Sequence, residues 1–139
     1  MRTSTASRKS SGKMVRFDTS RFGSLEVSEE RIVHFSQGLL GFPTLTRYVL
    51  MDYQDTPVKW LQAVDDPDVA FIVMEPTQLV SDYTVTLEEG ARQALKFDDE
   101  EDLAVLTIVR VEDGKVYPNL KGPLLFNARL RLGIQCVLE

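Results

Sequence analysis

The chain has 139 residues, of which 43% are hydrophobic and 27% charged, a composition typical of one soluble globular domain. No stretch approaches the ~20 consecutive apolar residues that cross a bilayer, and Cys136, the only cysteine, excludes an internal disulfide and favours a reducing compartment. The net charge is -5, and since residues 1–13 contribute +4, the remainder carries -9, which excludes a nucleic-acid binder with the usual basic surface.

The first predicted segment, residues 1–13, is basic and Ser/Thr-rich, and we expect it to be disordered because it has almost nothing to bury. It lacks the apolar core of a signal peptide, so we expect a cytoplasmic protein. From residue 14 onward, short apolar runs alternate with polar turns about every 8–12 residues, which indicates an all-β sandwich or barrel. The predicted strands are residues 25–27, 32–35, 47–52, 58–64, 70–74, 83–86, 104–111, 115–118, 124–127 and 130–138.

Two turns and one helix complete the predicted elements. Asp113-Gly114 predicts a tight hairpin, because both residues accept the positive φ angles of such a reversal. "DDPD", residues 65–68, predicts a polar turn between adjacent strands. Residues 87–95 have apolar side chains at helical spacing, and Thr86 with Glu89 resembles a capping box. We therefore predict one mainly antiparallel, β-barrel-like domain over residues 14–139, with one short helix at 87–95.

No cluster of catalytic or metal-ligating type emerges from the sequence. His34 is the only histidine, so a His-based metal site or triad has no partners, and its place in an apolar run favours a strand residue. Cys136 lies in a strand-like run and is predicted to be a buried small hydrophobe. Gly38 and Gly41 enclose two leucines rather than basic residues, which favours a turn over a phosphate loop. We expect no enzyme activity, no metal and no cofactor.

Two acidic clusters dominate the charge pattern. Neither matches the ligand spacing of a calcium loop, and runs of neighbouring carboxylates favour solvated faces over acid/base catalysis. We assign them to an electrostatic surface, whose predicted members are Asp65, Asp66, Asp68, Asp98, Asp99, Glu100, Glu101 and Asp102.

Taken in order, several motifs resemble those of the bacterial flagellar assembly factor FliW family. They are "FGSLEVSEERIVHFSQGLLGFP", "VKWLQAVDDPDVAFIVMEP", "YTVTL", "EEDLAVLTIV", "NLKGPLLFN" and "GIQCVL". The resemblance covers residues 15 to 138, with Gly122 where the family usually has alanine and with an additional N-terminal segment. It implies a non-enzymatic cytoplasmic protein with two protein partners, flagellin and the RNA-binding translational regulator CsrA. On that basis, free FliW holds CsrA off the flagellin message, and accumulated flagellin occupies FliW and releases CsrA.

The contacts we predict with these partners are aromatic, amide and charged side chains at the ends of apolar strands. They are Trp60, Gln62, Glu75, Tyr83, Asn119 and Lys121. Core packing is the alternative for Trp60, which lies between apolar neighbours. We expect a monomer that binds neither nucleic acid nor a membrane. Two other classes of function stay open, an export chaperone for flagellin without a regulatory partner and, less favoured, a carbohydrate-acting enzyme with paired acids.

Overall fold

A computed structural model describes residues 13–138 of this chain, apart from the side chain of Glu100. The described residues form ten strands and one α-helix, α1 Glu89–Leu95, with 3-10 turns at Glu29–Arg31, Pro76–Gln78 and Glu100–Asp102. The predicted disordered segment, except Lys13, lies outside the described residues. In chain order the strands are β1 Met14–Thr19, β2 Gly23–Ser28, β3 Ile32–Phe35, β4 Arg47–Asp52, β5 Lys59–Ala63, β6 Ala70–Met74, β7 Leu103–Glu112, β8 Lys115–Pro118, β9 Leu124–Asn127 and β10 Leu132–Gln135.

Seven of these strands close into a barrel in the order β3, β4, β5, β6, β7, β9, β10, and β10 then pairs with β3. The β10–β3 pair is parallel, and the other neighbours are antiparallel. The ten-residue strand β7 makes closure possible, because its first half pairs with β9 and its middle with β6. Its last residues pair with β8, which lies outside the closed barrel.

Successive side chains of a strand point to opposite faces, so each barrel strand has one face inside the barrel. Leu61 and Ala63 of β5 are fully buried in the core, together with Tyr48 of β4. Phe35 lies at the centre of this core, with its ring 5.4 Å from the rings of both Tyr48 and Phe126 in edge-to-face geometry. Such pairs add stability beyond their buried area.

The strands β1 and β2 form a separate hairpin against the outer face of the barrel. Phe17 of β1 is buried against Ile32, Val49 and Val64, which face away from the barrel core. The tip of the hairpin is fixed to the loop after β5, because the Ser20 N–H donates to the Pro67 carbonyl at 2.9 Å. The barrel therefore has a second, smaller apolar cluster on its outside.

The prediction of a mainly antiparallel β-barrel with one short helix is confirmed. The bounds of 32–35, 47–52, 70–74, 115–118 and 124–127 match the structure, and Asp113 and Gly114 have φ angles of 53° and 75° in the predicted hairpin. Residues 65–68 form the predicted turn between antiparallel neighbours. Within residues 13–138, no helix combines the length and apolar character needed to span a bilayer.

Two predictions of local structure are wrong, and one strand was missed. Residues 83–86 form no strand, because no neighbouring strand pairs with them. The capping box is absent, since the helix begins one residue after Glu88, an N-cap that makes no side-chain hydrogen bond to the first turn. The strand β1 was not predicted, although it pairs along its whole length with β2.

Candidate protein-binding surfaces

The first acidic cluster lies on the loop between β5 and β6, where backbone and side-chain bonds hold it. The Nε and Nη2 of Arg47 donate to the Asp65 carboxylate, at 3.0 Å and 2.6 Å. The Asp68 N–H donates to the Asp66 carboxylate at 3.0 Å, and Ser20 of the β1–β2 tip donates to Asp68. Asp66 and Asp68 have no lysine or arginine at ion-pair distance in the described chain, so the loop remains acidic.

The Arg47–Asp65 pair also sets the pKa values of the two groups. The hydrogen bond from Arg47 holds the pKa of Asp65 below its ordinary value of 3.8, and the pKa of Arg47 is raised by the same bond. Because the folded pKa of Asp65 is depressed, its contribution to stability is complete above the unfolded value and is lost as the pH falls through the folded one. Both side chains are well exposed, so this contribution is small, about 1 kcal/mol or less.

Gln62 supports this loop from inside. Its side chain is fully buried, and its Nε2 donates to the carbonyls of Ala63 at 3.0 Å and Val69 at 3.2 Å, with longer contacts to Asp66 and Pro67. The prediction that Gln62 faces a partner is therefore wrong, because the loop that it holds covers it. The strand alternation places it on the outer side of β5, and only the tertiary fold shows that this side is covered there.

Replacing Gln62 with alanine is expected to lower stability by about 2 kcal/mol, because the loop carbonyls lose a buried donor. Affinity for any protein that binds the exposed acidic loop should change less than about threefold in the folded variant. Urea unfolding measures the first effect, and calorimetric titration with the partner measures the second. A normal unfolding midpoint together with lost binding would contradict this assignment and restore Gln62 as a surface contact.

Trp60 lies on the outer face of the barrel rather than in its core. Its ring contacts the β1–β2 tip, with the Phe22 ring at 5.7 Å edge-to-face and the Arg21 guanidinium 4.4 Å from its centroid. Paired residues on neighbouring strands share a face, so the register places Ile72, Val109 and Pro118 in one row with Trp60. The side chain of Trp60 is half-buried, so part of it remains available to a partner.

The second acidic cluster precedes β7. Arg129 bridges it, with contacts to Asp98 at 3.1 Å and Asp102 at 3.2 Å. The Glu101 N–H donates to the Asp99 carboxylate at 2.9 Å, which fixes the turn without neutralising either acid. Asp99 and Glu101 are exposed and have no cation at ion-pair distance among the described residues. The side chain of Glu100 lies outside the described part of the chain.

The remaining predicted contacts lie near one another. Glu75, exposed after β6, and Tyr83 line the same open cavity of about 430 Å³. The half-buried Tyr83 donates its hydroxyl to the carbonyl of Leu120 at 2.7 Å, between the exposed Asn119 and Lys121. Burial, and then the nearby Cys136, raise the pKa of this Tyr83 hydroxyl. The structure thus brings four of the six predicted contacts to one side, with Trp60 separate on β5.

Gln135 joins two loops and was missed by the sequence reasoning. Its Oε1 accepts from the N–H of Leu40 at 2.8 Å, and its Nε2 donates to the carbonyl of Gly122 at 3.0 Å. Leu40 belongs to the "GLLG" loop, which runs from Gly38 to Gly41. In this loop Leu39 is buried in the barrel core, whereas Leu40 is 63% exposed. Only a tertiary structure reveals such a contact, because Leu40 and Gln135 are 95 residues apart in sequence.

His34 and Cys136 each line a cavity, and neither belongs to a metal-ligating group in the described part of the chain. His34 is exposed on β3. Cys136 is half-buried, and burial followed by the charge of Glu88 raises the pKa of its thiol, which disfavours the reactive thiolate. Within residues 13–138, no three His, Cys, Asp or Glu side chains are grouped so as to hold a metal ion.

Comparison with known proteins gives one consistent result. A family model described as FliW protein matches residues 16–139. Proteins named flagellar assembly factor FliW are similar to this chain: that of Caldanaerobacter subterraneus is 32% identical, over 88% of this chain and 84% of its own length. That of Magnetococcus marinus is 37% identical, over 86% and 76%. A crystal structure of the flagellar assembly factor FliW superposes with a TM-score of 0.82 at 32% identity, covering 88% of both chains.

Proposed function

This chain belongs to the FliW family of flagellar assembly factors, and from this premise we propose that it binds flagellin and CsrA in the cytoplasm without catalysing a reaction. Bound to CsrA, it keeps the regulator from repressing the flagellin message. Bound to flagellin, it releases the regulator. Flagellin translation then falls as unexported flagellin accumulates.

The observation that carries this proposal is the acidity that both clusters retain in the folded chain. Arginines pair with Asp65, Asp98 and Asp102. Asp66, Asp68, Asp99 and Glu101 keep their charge without an ion-pair partner among the described residues. A protein that grips RNA phosphates needs a basic surface, and such a surface is complementary to these clusters.

Antagonism follows from this charge through electrostatic repulsion. An acidic domain docked beside the RNA-binding surface of CsrA repels RNA over about a Debye length, ~8–10 Å at physiological salt. The carboxylates therefore need not occupy the RNA site itself. We propose that they act through their field, while Trp60, Glu75, Tyr83, Asn119 and Lys121 supply direct partner contacts.

Charge removal tests this mechanism with amides that keep the local hydrogen bonds. In Asp66→Asn/Asp68→Asn and in Asp99→Asn/Glu101→Gln, the acceptor oxygens for the N–H groups of Asp68 and Glu101 remain. Each double variant is expected to weaken the inhibition of CsrA–RNA binding about threefold to tenfold at low salt, and the quadruple variant more. The difference from wild type should shrink as salt is raised to about 0.5 M. Fluorescence anisotropy of labelled RNA measures the inhibition.

The matched control is Asp55→Asn/Asp113→Asn, which removes the same charge outside both clusters. It should inhibit nearly as well as the unmodified chain. Equal loss in the control would mean that net charge matters and the clusters do not. Unchanged inhibition in the quadruple variant, at salt where size-exclusion chromatography shows an intact complex, would exclude the field mechanism.

The alternative role, an export chaperone for flagellin with no regulatory partner, makes a different prediction. CsrA would then fail to bind the purified chain, although flagellin would bind it. Pull-down from a lysate of a flagellated bacterium, followed by competition between purified flagellin and CsrA, separates the two roles.

A further inference from the structure

Beyond its two residues paired with β3, the chain from Gln135 to Leu138 has no strand neighbour on the side away from β9 among the described residues. The pairing with β9 continues beyond the strand, since Cys136 N donates to the Pro123 carbonyl at 2.9 Å and Leu138 N to the Lys121 carbonyl at 2.7 Å. Backbone groups alternate in direction along a strand, so Gln135 and Val137 point theirs away from β9. The other neighbour, β3, pairs only through His34 and Phe35 and then turns away. The N–H groups of Gln135 and Val137 therefore have no backbone partner among residues 13–138.

A second unpaired segment faces this edge across a groove. Residues 83–87 alternate between half-buried and exposed, which is the pattern of a strand with one covered face. The sequence predicts a strand there, yet none forms. The N–H groups of Thr84, Val85 and Thr86 make no backbone hydrogen bond within the described chain. The segment thus presents free strand-like N–H groups that no other part of residues 13–138 pairs.

The groove between the two segments has room for an extended chain. It is about 570 Å³ in volume and has a floor of small helix residues, Gly90, Ala91 and Ala94. It continues past Gln37 and Gln135 into a second cavity of about 330 Å³ beside the exposed Leu40. An inserted strand would run along both unpaired edges, as in recognition by β-strand addition.

The charges around the groove restrict what enters it. Glu88 is the one carboxylate that lines it within the described chain, and no lysine or arginine lines it. The other lining side chains are apolar, small or uncharged. An extended segment with mostly apolar side chains and a Lys or Arg opposite Glu88 fits this lining. Neither acidic cluster lines the groove. The surface that is complementary to the basic partner, CsrA, therefore lies elsewhere on the chain.

We infer that the groove bounded by residues 84–86, α1 and residues 134–138 is a strand-binding slot that takes an extended, apolar segment of flagellin. The inference rests on the proposed function for the identity of the partner. Binding forms backbone hydrogen bonds to Gln135, Val137 and residues 84–86. Apolar side chains of flagellin then contact Ala91 and Ala94.

Two variants test the slot by different physical means. Ala94→Arg places a long cation on the exposed floor of the groove, where it blocks an entering chain and repels its basic residue. Val137→Pro removes the outward N–H and leaves the Leu138–Lys121 hydrogen bond in place. Gln93→Arg is the matched control, since it makes the same charge change on the same helix outside the groove lining. Calorimetric titration of each full-length chain with monomeric flagellin measures the affinity.

Ala94→Arg and Val137→Pro are expected to weaken flagellin binding at least tenfold, and Gln93→Arg less than twofold. In wild type, hydrogen exchange should slow at the amides of residues 84–86, Gln135 and Val137 when flagellin is added. Tight binding of flagellin to wild type and to both groove variants would overturn the slot and leave the proposed function intact. If wild type bound CsrA but no flagellin, the proposed role of flagellin would fail, and the slot assignment with it.

Discussion

Replacing Gly38 with alanine should destabilise this chain by about 4 kcal/mol, the largest effect that we expect from a single methyl group. Gly38 has a φ of +66°, and an added Cβ would clash with the carbonyl oxygen of Phe42 and lie 2.7 Å from the Cα of Pro43. Both contacts are with backbone atoms, which cannot move aside as a flexible side chain would. Denaturant unfolding, monitored by the fluorescence of Trp60, measures the loss of stability.

Gly41→Ala is the matched control in the same loop. Gly41 has a φ of +87°, yet no heavy atom lies within 4 Å of the position that an added methyl group would take. The control therefore carries only the cost of a left-handed backbone for alanine, about 1–2 kcal/mol. Equal destabilisation by the two variants would show that backbone strain alone limits this loop and that the close approach of Phe42 is relieved without cost.

Replacing Asn127 with alanine is expected to cost about 3 kcal/mol. The fully buried side chain donates from Nδ2 to the carbonyl of Leu95 at 2.8 Å, at the end of α1. Its Oδ1 accepts from the N–H groups of Arg129 and Leu130, both at 3.1 Å. Alanine would leave three backbone groups without this partner. Thermal and urea unfolding measure the loss.

Asn119→Ala provides the comparison for Asn127. Asn119 is exposed, and its side chain makes no hydrogen bond within the described chain, so its removal should change stability by less than about 0.5 kcal/mol. Hydrogen exchange adds a second readout, because the loss of Asn127 should loosen α1 before the barrel. Similar unfolding midpoints for the two variants would contradict a supporting role for Asn127.

Both supporting residues also position the proposed strand slot. Gly38 shapes the loop that presents Leu40 beside the second cavity. Asn127 ties the end of α1 to β9, and α1 forms the floor of the first cavity. Unfolding experiments measure the loss of stability when either interaction is removed. They therefore distinguish a variant that damages the fold from one that only loses a contact with the partner.

The barrel could be predicted from the sequence because the sequence signals for strands and turns are local. Alternating apolar residues, Asp113-Gly114 and the acidic turn each act over a few residues, so they define strands and reversals without knowledge of the rest of the chain. The segment at 83–86 has the same local pattern and forms no strand. A strand also requires a neighbour that supplies hydrogen bonds, and the periodicity of one segment contains no information about that neighbour.

The sequence by itself determined the class of fold, the net negative charge with its two acidic clusters, and the resemblance to the FliW family. Only the tertiary structure decided which polar side chains are available to a partner. Gln62 looked like a surface contact and is buried under its own loop, and Trp60 looked equally suited to the core and lies on the outer face. The physical reason is that exposure depends on what the rest of the chain lays over a strand, as the β1–β2 hairpin and the acidic loop do here.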